Sequence, residues 1–210
     1  MGAREPVSAP RDAGVPQRRA MRAAAQRDRI LSAAEGCFVR EGFHAASMAK
    51  IAEAAQMSPG LIYRYFPGKH AIVLAIIERE LEHKRAKIAK LHDSDFATAV
   101  LQAFEQWKGD DASGLSVPLF LSMHADALRD REIGEALTAS DRASRADFVS
   151  WLTRSARTGG RGLRRRVAEP RAVLLQCLIE GLAIRAAREP DLEAAGLEVE
   201  LRRVIEGLIA

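Results

Sequence analysis

Cysteine is almost absent: Cys37 and Cys177 are the only two in 210 residues, and they lie far apart in separate predicted helices. Each has apolar neighbours, so both are expected to be buried free thiols rather than a redox sensor. No apolar run approaches the length needed to cross a bilayer, and the N-terminus carries arginines without an apolar signal core. Neither membrane contact nor export is expected, and a cytoplasmic location follows. Strand-like alternation and internal repeats are missing as well, which leaves an all-α chain. There is no HExxH, GxSxG, CxxC or Walker-type run, and the five histidines are dispersed, so no catalytic residue, metal site or cofactor is expected. Tyrosine is scarce too: Tyr63 and Tyr65 are the only two, and both fall in one short stretch.

That stretch, Ser47 to Lys69, reads SMAKIAEAAQMSPGLIYRYFPGK. Met48, Ile51, Ala52 and Ala55 fall at helical spacing behind a candidate N-cap, Ser47. Ser58 is a second candidate N-cap, and Pro59 follows at the first helical position, where its missing N–H costs nothing. Only Gln56 and Met57 remain for the connection. Two helices so closely joined match the helix-turn-helix pattern, whose second helix enters the DNA major groove. In that helix Gly60 lets the backbone approach nucleic acid closely, while Tyr63, Arg64 and Tyr65 reach outward. Leu61 and Phe66 supply packing, Pro67 and Gly68 break the helix, and Lys69 is placed to meet a phosphate.

Charge supports a polyanionic partner. Residues 1–92 hold 16 Lys and Arg against 9 Asp and Glu, net +7, while residues 93–210 are net −3. The composition, 48% hydrophobic and 29% charged, suits one large core or two modest ones. Residues 1–21, rich in Pro, Gly and Arg, read as a disordered basic arm. The first folded helix is expected from Arg22 to Arg40, with Gly42 as its stop and Phe43 folding back onto it. With the next two helices it closes a small core of Ile30, Phe38, Phe43, Ile51, Leu61 and Phe66. A longer helix starts at Lys69, with an apolar face early and a charged stem later; His70, His83 and His92 along it read as surface groups. Further helices are expected at Phe96–Trp107, Leu119–Arg129, Glu132–Ala156, Arg171–Arg188 and Leu192–Ile209. The breaks fall at GDDASG, at the arginine-rich TGGRGLRRR and at EPD.

The spacing IAxxAxxSxGxxYxYFxxK, carried by Ile51, Ala52, Ala55, Ser58, Gly60, Tyr63, Tyr65, Phe66 and Lys69, resembles the DNA-binding domain of the TetR family of one-component regulators. The resemblance implies an N-terminal three-helix DNA-binding domain, residues 22–68, and a helical effector-binding and dimerisation domain, residues 69–210. It implies that Ser47, Tyr63, Tyr65 and Lys69 touch phosphates and that Pro59, Gly60 and Arg64 face base edges. Ser58 completes the DNA-binding set, and Arg64 is the candidate reader of guanine. One position departs from the family, which usually has glycine where Gln56 stands. A left-handed turn there would cost about 1 kcal/mol, so the turn is either strained or differently shaped.

For the second half, the resemblance implies a homodimer on a palindromic operator. The dimer forms through the last two helices and the apolar stripe of Leu174, Leu178, Leu182, Leu201, Ile205 and Leu208. It implies, too, a pocket for a small hydrophobic or aromatic effector that releases the repressor from double-stranded DNA. Phe104, Trp107, Phe120, His124, Phe148 and Trp151 are the candidates for its lining. Activation within the same family, or a dimeric DNA-binding protein with no effector, are the alternatives.

Overall fold

The computed structural model describes residues 14–91, 96–108 and 116–210, and every regular element among them is helical. The elements are α1 (Gly14–Ala45), α2 (Met48–Ala54), α3 (Pro59–Tyr63), α4 (Lys69–Ala89), α5 (Phe96–Lys108), α6 (Val117–Ala127), α7 (Arg131–Thr153), α8 (Arg165–Arg188) and α9 (Ala194–Ile209). A single 3-10 turn, Ala156–Thr158, separates α7 from α8.

α1 begins earlier than Arg22. Residues 14–21, expected to be part of the disordered arm, are helical, because the run from Gln17 onward is built of Gln, Arg, Ala and Met, all good helix formers. Pro16 sits in the first turn, where proline is tolerated. Residues 1–13 of the expected arm lie outside the described residues. At the other end Gly42 breaks the helix, with φ 78° and ψ 160°, a backbone conformation that costs glycine little. Phe43 turns back into the core, 4% exposed, with its ring edge-on to Phe38 at 5.6 Å.

Both short helices are capped as their sequences suggest. Ser47 Oγ accepts from Lys50 N at 3.2 Å, and Ser58 Oγ accepts from Leu61 N at 3.3 Å, with Pro59 at the start of α3. Each cap is worth about 1 kcal/mol. Of the expected core, Ile30, Phe38, Phe43, Ile51 and Phe66 are buried, but Leu61 is only half-buried. Its neighbour Ile62 is fully buried instead, which the one-residue difference in helical phase accounts for. Burial of a side chain that size contributes roughly 1.5–3 kcal/mol.

This first core does not stop at residue 68. Ile72, Val73, Ile76 and Ile77 of α4 belong to it, as do Leu119 and Met123 of α6 and Ile133 of α7. A second core gathers Ile88, Leu91, Phe96, Phe148, Trp151, Leu152, Leu175, Leu201 and Ile205. α4, 21 residues and about 30 Å long, therefore has its first half in one core and its end in the other.

The α6–α7 corner rests on the same region. Asp130 caps α7 by accepting from Glu132 N and Ile133 N at 3.0 and 3.2 Å, and its other oxygen lies 2.6 Å from His70 Nε2. The His70 hydrogen bond, aided by that from Ile133, holds the Asp130 carboxyl below its ordinary range. A depressed carboxylate pKa contributes stability above the unfolded value and loses it as pH falls through the folded one.

Two further expectations change in the second half. α8 starts at Arg165, so Arg165 and Arg166 leave the expected loop and Pro170 lies inside the helix. Buried Ala168 and Ala172 flank the exposed proline, and their packing outweighs the one hydrogen bond it cannot donate. Cys37 is 1% exposed as expected, but Cys177 is exposed, because it falls on the outward side of α8. His70 and His83 are surface groups; His92 and the whole GDDASG break lie outside the described residues.

Candidate functional site

The two short helices present one exposed set of side chains. Ser47, Ser58, Pro59, Gly60, Tyr63 and Arg64 are all exposed, Tyr63 by 55%. A Cβ added at Gly60 would meet nothing within 4 Å, so no packing inside the chain requires a glycine there. Arg64 follows the last residue of α3, its guanidinium 5.9 Å from the Tyr65 ring, a contact that pre-orders a planar, bidentate donor. Tyr65 is only half-buried and packs against the first core, which limits how far it reaches.

Lys69 is more occupied than its sequence position suggests. Its ammonium donates to Phe43 O at 2.7 Å and to His44 O at 3.1 Å and lies 4.8 Å from the Phe43 ring. Two of three donors thus satisfy carbonyls at the broken end of α1, leaving one for a phosphate. The connection between α2 and α3 is left-handed: Gln56 has φ 53°, so the strained alternative is the one present. Arg29 Nη2 donates to Gln56 Oε1 at 3.2 Å across the turn. Arg27 and Arg29 of α1 are not in the DNA-binding set expected from the sequence. The fold brings both beside the reading helices, with Arg27 4.5 Å from the Phe66 ring. An i, i+2 pair of arginines ahead of the motif was the only signal.

A cavity of about 530 Å³ opens among α4, α5, α6, α7 and α8. Of the expected lining, Trp107, Phe120 and Phe148 are on its wall, while Phe104, His124 and Trp151 are not. Phe104 and Trp151 are buried in packing, at 0% and 1% exposure, and His124 is turned to its own helix, Nδ1 lying 2.8 Å from Phe120 O. The wall is also more polar than aromatic spacing suggested. It includes Glu80, His83, Lys84 and Lys87 along α4, Lys90 just past its end, Ser144 on α7, and Gln176 and Glu180 on α8. The charged stem of α4 held that signal, but sequence reading did not connect it with the cavity.

The stripe on the last two helices divides. Leu174 is 52% exposed and Leu178, Leu182 and Leu208 are half-buried, but Leu201 and Ile205 are 7% and 0% exposed inside the second core. Those two are thereby removed from any outward face; Val199 and Val204, 68% and 49% exposed, are the large apolar groups that α9 presents. Gly181 is exposed on the same side of α8 as Leu174 and Cys177.

Residues 30–76 match the family described as bacterial regulatory proteins, tetR family. The HTH-type transcriptional regulator UidR of Escherichia coli K12 is 31% identical over 138 residues, which cover 64% of this chain and 67% of that protein. The HTH-type transcriptional repressor KstR of Mycolicibacterium smegmatis is 37% identical over 62 residues, 30% of each chain. Among solved structures, Salmonella enterica GusR superposes with a TM-score of 0.72 at 26% identity, covering 88% of this chain and 95% of that one.

Proposed function

The chain belongs to the TetR family of DNA-binding transcriptional regulators, and on that premise we propose that it is a cytoplasmic dimeric repressor released from its operator by a small molecule in the α4–α8 cavity. α4 carries the proposal. Ile72, Val73, Ile76 and Ile77 fasten its first half into the core beneath the reading helices, and Glu80 to Leu91 form one wall of the cavity. A ligand that displaces the wall acts on the same rigid element that supports α3. Coupling of this kind is typically about 1–3 kcal/mol, and by linkage DNA weakens ligand binding by the same factor.

On the DNA side, Arg64 reads a base edge, guanine by preference, and Pro59 and Gly60 allow the close approach. Ser47, Ser58, Tyr63, Tyr65 and Lys69 hold the backbone, with Arg27 and Arg29 adding phosphate contacts at the turn. Leu174, Leu178, Leu182 and Leu208 cover a two-fold partner and set the two reading helices one helical turn of DNA apart, about 34–36 Å, or a multiple of it.

The test is binding of the purified protein to its own upstream intergenic DNA, followed by fluorescence anisotropy across a salt series. Tyr63→Ala should weaken binding to every sequence, whereas Arg64→Ala should relax base preference at one position of each half-site. Binding no tighter than to random DNA would remove the assignment of α3 as a sequence reader.

A further inference from the structure

The cavity wall is unbalanced in charge at depth. Glu80 and Glu180 come to it from two helices, and Lys84 is the cation that acts on both. Glu180 makes no hydrogen bond and no ion pair among the described residues; Lys84, His124 and Arg145 attract it and Asp141 repels it from a distance. Arg145 is engaged elsewhere, its Nε donating to Gln176 Oε1 at 2.9 Å, and Arg79 is paired with Glu35. The nearest partner of Glu80 is His83, 3.6 Å away and largely in solvent. Burial first, and Asp141 second, push the Glu180 carboxyl above its ordinary range; burial does the same at Glu80 against the pull of His83. Lys87 and Lys90, also on the wall, are exposed and water-screened, so they do little for the carboxylates inside.

We propose that the ligand of this cavity is a monocation, with its positive charge seated against Glu180 and Glu80 and an aromatic or aliphatic body lying among Trp107, Phe120 and Phe148. The two carboxylates share one lysine, and a single added charge completes the set. The three aromatic rings suit the same ligand, because their faces attract cations as well as apolar groups. This rests on the reading of the cavity as the effector site and deepens it.

Two probes of matched shape and opposite charge separate the outcomes: tetraphenylphosphonium and tetraphenylborate, titrated calorimetrically into the full-length protein without DNA. Tetraphenylphosphonium should bind at least about tenfold tighter, and Glu180→Gln, isosteric at an unpartnered position, should remove about tenfold of that affinity while binding of the borate is kept or strengthened. Glu80→Gln serves as the second variant, and circular dichroism checks that each is folded. Equal or tighter binding of the borate, no binding of the phosphonium, or its unchanged binding to both variants would overturn the proposal. A borate that binds at least as tightly as the phosphonium and lowers operator affinity would overturn the charge assignment alone. A phosphonium that binds through Glu180 without altering operator affinity would uphold it and defeat the effector reading instead.

Discussion

Gln56 is the residue where local preference and fold disagree most openly. Its backbone sits at φ 53°, in the region that a side chain disfavours by about 1 kcal/mol, and its side chain accepts an exposed hydrogen bond from Arg29. Gln56→Gly should therefore leave thermal stability equal or raise it by up to about 1 kcal/mol, the gain being trimmed by the greater freedom of glycine in the unfolded chain. Gln56→Ala, which keeps the strain and loses the hydrogen bond, should melt lower than both; thermal denaturation followed by circular dichroism reads all three. The strain was legible in the sequence as one of two alternatives, since a two-residue connection between capped helices leaves few backbone routes. Arg29 was not, because a hydrogen bond spanning 27 positions depends on how α1 lies against the turn.

Among the elements, α3 is short and sparsely anchored: five residues, one of them a glycine, with a single fully buried side chain. Gly60→Ala should raise stability by about 0.5–1 kcal/mol, because a helical alanine is favoured and its Cβ meets open space. The same change should weaken operator binding severalfold in an anisotropy titration; full binding would mean that the backbone at residue 60 stays clear of the DNA. Caps and breakers made this region readable in advance, since Ser47, Ser58, Pro59 and Gly42 act through bonds to residues only a few positions away. α8 was read less well. The helix was expected only from Arg171, yet the tertiary burial of Ala168 and Ala172 carries it back through Pro170 to Arg165, and no local rule contains that information.

For the whole molecule, the outward apolar groups Leu174, Val199 and Val204 are what a partner chain would cover. Leu174→Asp should shift the protein towards monomer in analytical ultracentrifugation and weaken operator binding, with the secondary structure intact. An unchanged dimer would move the interface away from α8. The apolar periodicity of the last helices was plain in the sequence, but not which leucines turn inward: Leu201 and Leu174 share the pattern and only packing separates them. The cavity was the least legible feature, since a void is defined by what several distant segments leave unfilled. The continuity of the first core through α4, α6 and α7 has a consequence for anyone recombining such proteins. A graft cut at residue 68 would strip Ile72, Val73, Ile76 and Ile77 from the DNA-binding helices and leave an apolar wound on both fragments. The smallest transplantable cassette must carry the first half of α4, and its new host must supply a counterpart to Leu119, Met123 and Ile133. On the proposed reading of α3, operator preference should therefore be exchangeable by editing its surface, and poorly exchangeable by swapping pieces.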